Sequence, residues 1–176
     1  MVHVSIQHII GTVALIGLAV SVALAYQIVI GYVEENAIRA QLGQAAEYVS
    51  MNIANIVSLA DFTYGMFSPQ KTVSKRLNLP AAIGRKPYKL AIVGRGGEYY
   101  VRVEVAGRED LYAESPILVS PTWRIRVFTA GGDEPSDTRI NPQERVYGGN
   151  PNVVVWCEKM GDGTIYIGLG LLVEAD

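Results

Sequence analysis

No aspartate, glutamate, lysine or arginine occurs before Glu34, although the chain carries 15 basic and 17 acidic residues in all. An uncharged block of that length is the mark of a membrane span or of the apolar stem of a filament. Cysteine is nearly absent. The single Cys157 excludes an intrachain disulfide and any zinc cage built from thiolates. Histidine is scarce as well: His3 and His8 lie five positions apart, off any common helical face, with no carboxylate near them in sequence. They leave a Ser-His-Asp arrangement without a base and a zinc site without ligands. No glycine-rich phosphate loop precedes a helix, and a net charge of −2 offers nucleic acid no electrostatic footing. The expectation is a chain with no catalytic residues, no metal ligands and no cofactor.

What replaces charge at the start is a long apolar run. Ile9 to Val33 is dominated by Ile, Leu, Val and Ala. As a helix it reaches ~37 Å, enough to cross a ~30 Å hydrocarbon core with some tilt. Ala23-Leu24-Ala25 mimics a signal-peptide cleavage site, but Ile28, Val29 and Ile30 carry the apolar pattern past it, so a retained segment is expected. Gly17, Ser21 and Ala25 form a small-xxx-small ladder of the kind that lets helices approach closely in lipid. Tyr26 and Tyr32 fit an interfacial aromatic belt.

Proline is absent before Pro69, so nothing stops the helix at the membrane edge. Ile38, Leu42, Ala45, Val49, Ile53, Ile56 and Ala60 recur at intervals of three and four, which makes one apolar helical face. Two partners suit that face: the chain's own β-domain, or the same helix in a neighbouring subunit. Gly65 and Pro69 mark the helix end.

From Tyr88 the period becomes two. Residues 88–93, 98–105, 123–129, 153–158 and 164–173 read as strands, separated by Arg95-Gly96-Gly97, Ala130-Gly131-Gly132-Asp133 and Gly161-Asp162-Gly163. Alternating charges at Glu98, Arg102 and Glu104 give one wet face and one buried face, as an antiparallel sheet requires. Residues 131–151, rich in Gly, Pro, Asp and Asn, read as one long exposed loop. The carboxylates of Asp133, Glu134 and Asp137 read as a solvated acidic cluster. The fold class is therefore α+β: a long N-terminal membrane or stem helix followed by a small antiparallel β-sandwich. Its parts are residues 1–33 (membrane or filament-core helix), 34–64 (amphipathic stem), 65–87 (linker) and 88–176 (β-domain).

This layout resembles the archaeal type IV pilin-like superfamily, which includes pilins, archaellum filament subunits and their single-span stator relatives. The opening Ile6-Gln7-His8-Ile9-Ile10-Gly11-Thr12-Val13-Ala14-Leu15-Ile16 looks like the start of those helices. Leu77-Asn78-Leu79-Pro80-Ala81-Ala82-Ile83-Gly84-Arg85-Lys86-Pro87-Tyr88-Lys89-Leu90 is similar to the linker entering their first strand. Residues 1–8 depart from the pattern, since processed members carry a basic residue just before the apolar run. The resemblance implies a non-catalytic, membrane-anchored component of a pilus- or archaellum-type surface structure, with its β-domain outside the cell. A filament subunit is the alternative, and a membrane-tethered binding domain or enzyme a further one. The implied partners are membrane lipid, further copies or other pilin-like subunits through the helix, and the cell envelope or surface layer, with no nucleic acid. In the assembly reading Gly17, Ser21 and Ala25 set helix spacing, while Ile38, Leu42, Val49, Ile53 and Ile56 form the seam. Leu42→Glu or Val49→Glu would then disrupt assembly and leave the β-domain folded.

Overall fold

The computed structural model describes residues 2–63, 72–130, 132 and 134–173. Among these described residues a single helix, α1 (Val2–Thr63), precedes nine strands. In chain order these are β1 (Thr72–Arg76), β2 (Tyr88–Arg95), β3 (Glu98–Val105), β4 (Arg108–Pro116), β5 (Arg124–Val127), β6 (Ile140–Gln143), β7 (Arg145–Tyr147), β8 (Val153–Lys159) and β9 (Thr164–Leu172). The class is α+β, as the change of period from 3.6 to two requires. Gly65, Pro69 and Asp133 lie outside the described residues. The chain divides into two compact units, Met1–Ala37 and Ile38–Asp176.

The second unit holds two sheets. One runs β4-β3-β2-β7; the other runs β1-β8-β9-β5, with β6 also on β9. Every pairing is antiparallel except that of β5 with β9, which is parallel. The domain is antiparallel as expected, apart from this one pair. The reason is the length of β9: its Thr164–Ile167 half accepts β5, and its Leu169–Leu172 half accepts β6 in the opposite direction.

Other expectations also change. The stretch 65–87, expected as linker, contains β1, which pairs along its whole length with β8 from Thr72–Glu158 to Arg76–Val154. The stretch 131–151, expected as a single loop, contains β6 and β7. Strand β4 escaped notice because Arg108, Glu109 and Asp110 hide its alternation. Asp137 is buried, its carboxylate paired with Arg139 at 2.8 Å, so the acidic cluster is not wholly solvated.

One core joins the helix to both sheets. Leu42, Val49, Ile53 and Val57 of α1 pack in the same cluster as Leu90, Val101 and Val103 of one sheet and Val155, Ile165 and Ile167 of the other. Each such side chain, removed from water, contributes about 1.5–3 kcal/mol. Because strand residues alternate, β8 feeds a second cluster from its opposite face, where Val154 and Trp156 meet Phe128 and Ile140. Trp156 lies across Gly168, where an added Cβ would stand 2.6 Å from the indole. Its Nε1–H donates to the Leu169 carbonyl at 3.0 Å.

Candidate functional site

From His8 to Glu34 the first unit is an apolar helix whose side chains stand uncovered, with Ile28 73% exposed and Tyr32 69%. This helix is long and apolar enough to cross a membrane. Two of its hydroxyls are satisfied locally. The Ser21 hydroxyl donates to the Gly17 carbonyl at 2.9 Å, and the Thr12 hydroxyl to the His8 carbonyl at 2.8 Å. Each hydroxyl thus satisfies itself one turn back, which an apolar solvent demands. Gly17, Ser21 and Ala25 are all exposed, and a Cβ on Gly17 would meet open space. Tyr26 and Tyr32 are likewise exposed.

The seam expected at Ile38, Leu42, Val49, Ile53 and Ile56 is a different matter. All five are buried in the core of their own unit. Of the two partners that suited this face, the chain's own β-domain has it. The same side chains cannot form an intermolecular seam, because the inner faces of both sheets would be left bare. Leu42→Glu and Val49→Glu therefore strike the β-domain itself, contrary to the expectation that it would stay folded.

Polar contacts fasten this stretch of helix along its length. Arg39 Nη2 donates to the Asp110 carbonyl at 3.2 Å, and Gln41 Oε1 accepts from the Gly84 amide at 3.2 Å. Ser50 and Ser115 share a hydroxyl contact at 3.0 Å. The Cys157 thiol donates to the Ile56 carbonyl at 3.2 Å, and Lys159 Nζ reaches Asp61 at 2.6 Å. Burial, helped by the neighbouring Glu158 charge, pushes the Cys157 thiol up to about 12. Gly84 escaped sequence reasoning. Its φ of +56° and the Ile38 side chain, 2.4 Å from an added Cβ, both demand glycine. The signal was present in Ile83-Gly84-Arg85, a turn between apolar segments.

On the outer face of the β4-β3-β2-β7 sheet the wet alternation of β3 organises charge. Lys89 Nζ lies 2.7 Å from Glu104, whose other oxygen takes the Arg102 Nε–H at 2.9 Å. Arg102 also approaches Glu114 at 3.6 Å and lies 4.1 Å over the Tyr112 ring. Arg95 grips Glu114 with two bonds, at 3.0 and 3.2 Å. Partial burial is the largest single influence on Glu104 and raises its pKa. Lys89 and Arg102 together outweigh it, so the carboxyl lies below its ordinary value. Tyr100, beyond this row, donates to Glu98, and Tyr99 donates to the Ile125 carbonyl at 2.6 Å.

Among the described residues no group of three or more His, Cys, Asp or Glu is placed to hold a metal ion. Set against protein-family models, curated proteins and solved structures, the chain matches none.

Proposed function

We propose that this protein is a non-catalytic, pilin-like cell-surface protein, anchored by its N-terminal helix as a component of an archaeal pilus- or archaellum-type structure and acting through protein contacts. The observation that supports this reading is the contrast along α1. The apolar surface of residues 8–33 is entirely uncovered, whereas the apolar face from Ile38 to Ala60 is consumed by the domain. A bare helix of that composition finds its lowest free energy in lipid or among other apolar helices. Lipid and pilin-like helices are accordingly the partners, with the β-domain outside the cell and available to the envelope. The resemblance of residues 6–16 and 77–90 to archaeal pilin-like proteins supplies the rest.

The alternative, a main filament subunit, draws on the exposed Gly17, Ser21 and Ala25 ladder, which is free to meet neighbouring helices. Fractionation of native cells separates the two. Gentle shearing followed by mass spectrometry of released filaments and washed membranes is expected to leave the protein with the membranes. Its enrichment in sheared filaments would overturn the anchored reading and support the filament subunit. Recovery in the soluble fraction without detergent would overturn both.

A further inference from the structure

The outer face of the β4-β3-β2-β7 sheet holds a hollow of about 230 Å³ whose lining includes Lys89, Ala91, Arg102, Glu104, Glu109 and Arg145. Strand register explains it. Arg145 of β7, Ala91 of β2, Arg102 of β3 and Glu114 of β4 stand in one cross-strand row. Directly opposite residues share a face of the sheet. Ala91, with only a methyl group, therefore leaves a gap between two guanidinium groups.

The two sides of the gap differ in their commitments. Arg102 and Lys89 are held in place by Glu104, and Arg102 also by the Tyr112 ring. Neither the Arg145 guanidinium nor the Glu109 carboxylate has an ion pair or side-chain hydrogen bond among the described residues. The hollow thus offers a free cation toward one edge and a free carboxylate toward the other, with a rigid ion pair between them. Tyr147, 61% exposed, stands in the next row beside Lys89.

We infer that this hollow binds an acidic saccharide, its carboxylate taken by Arg145 and its hydroxyls donating to Glu109. The chemistry discriminates among ligands. An occupant must present an anion to a guanidinium, which grips planar carboxylates bidentately. It must also donate hydrogen bonds to a carboxylate, which is acceptor-only. An acidic peptide side chain meets the first demand and fails the second; inorganic phosphate keeps a P–OH donor near neutral pH but is too small to reach both groups. A free amino acid meets both but is too short, since β7 to β4 spans three strand spacings, ~14 Å. A uronic-acid chain carries carboxylate and hydroxyls over that reach, with the Tyr147 ring beside it as an apolar plate. This inference does not depend on how the helix is anchored.

The test uses the full chain in detergent micelles and isothermal titration calorimetry with an oligoglucuronate. A neutral glucan oligomer of equal length and polyglutamate serve as comparisons. The oligoglucuronate is expected to bind at least ~10-fold more tightly than either, and Arg145→Ala and Glu109→Gln each to weaken it ~10-fold, the scale of one charge-assisted contact. Thermal unfolding of both variants, at exposed positions, is expected to match the parent. No binding of oligoglucuronate, equal binding of the neutral oligomer, or affinity unmoved by both variants would overturn the assignment. Equal or tighter binding of polyglutamate would also overturn it, and would point to an acidic protein segment instead.

Discussion

Residues 8–33 and residues 38–60 belong to one helix and are alike in their wealth of Ile, Val, Leu and Ala, yet the first set is bare and the second is buried on one side. The difference lies in what interrupts the apolar residues. Before Glu34 nothing charged interrupts the helix, so no polar face confines its apolar residues to a stripe. After it, Glu34, Glu35, Arg39, Gln41, Gln44 and Glu47 confine the apolar residues to a stripe, and a stripe has a definite complement. The comparison teaches that a helix is sorted between solvents by the arrangement of its apolar residues as much as by their number.

The sharpest way to break this comparison is to place one carboxylate in each region. Leu42→Glu buries an unpaired charge among Val49, Leu90 and Val103 and is expected to cost roughly 4 kcal/mol or more, enough to unfold the second unit. Urea denaturation followed by near-ultraviolet circular dichroism would read it. Leu24→Glu is expected to leave that urea midpoint unmoved and to lower partition into lipid vesicles. An unchanged midpoint for Leu42→Glu would mean that the stripe is not part of the core.

A smaller effect sharpens the picture on the buried side. Cys157, with its thiol pushed up to about 12 and donating to Ile56, is expected to resist a thiol reagent at pH 7 until the helix lifts from β8. Ile56→Ala, a loss of about 2–5 kcal/mol, is expected to raise the labelling rate more than ~10-fold. A rate equal to that of the parent would show that the thiol is reached without moving the helix.

The smallest effect is electrostatic. The folded pKa of Glu104 lies below its ordinary 4.5, so its contribution is present above that value and is lost as pH falls through the lowered one. Asp137, lowered chiefly by the Arg139 hydrogen bond, behaves alike. Thermal unfolding followed from pH 7 to pH 3 is expected to show a modest decline at the acid end, on the order of 1 kcal/mol per pair. Glu104→Gln is expected to flatten part of that decline, and an identical acid slope in this variant would remove Glu104 from the account.

Several elements were legible in the residues alone. The helix start, its continuity past Glu34, the stripe to Ala60 and strands β2, β3, β8 and β9 all follow from period. Strands β1, β6 and β7 were not legible, because each is too short or too polar to show an alternating run of its own and exists only as a partner of a longer strand. The Arg145–Ala91–Arg102 row was equally hidden. Residues 54 positions apart share a row only through register, which no local pattern carries.

Sequence by itself determined that a charge-free helix opens this chain and that an α+β domain with a wet and a dry face follows. Charge spacing and side-chain period are local properties, and local physics reads them directly. Tertiary structure alone decided that the stripe from Ile38 to Ala60 belongs to the chain's own core, that β5 runs parallel to β9, and which charges face one another across the sheet. Those outcomes depend on which apolar face finds which complement over distances of up to a hundred residues. Burial is non-directional, and only the closed packing of helix and both sheets selects one pairing among the many that hydrophobicity permits.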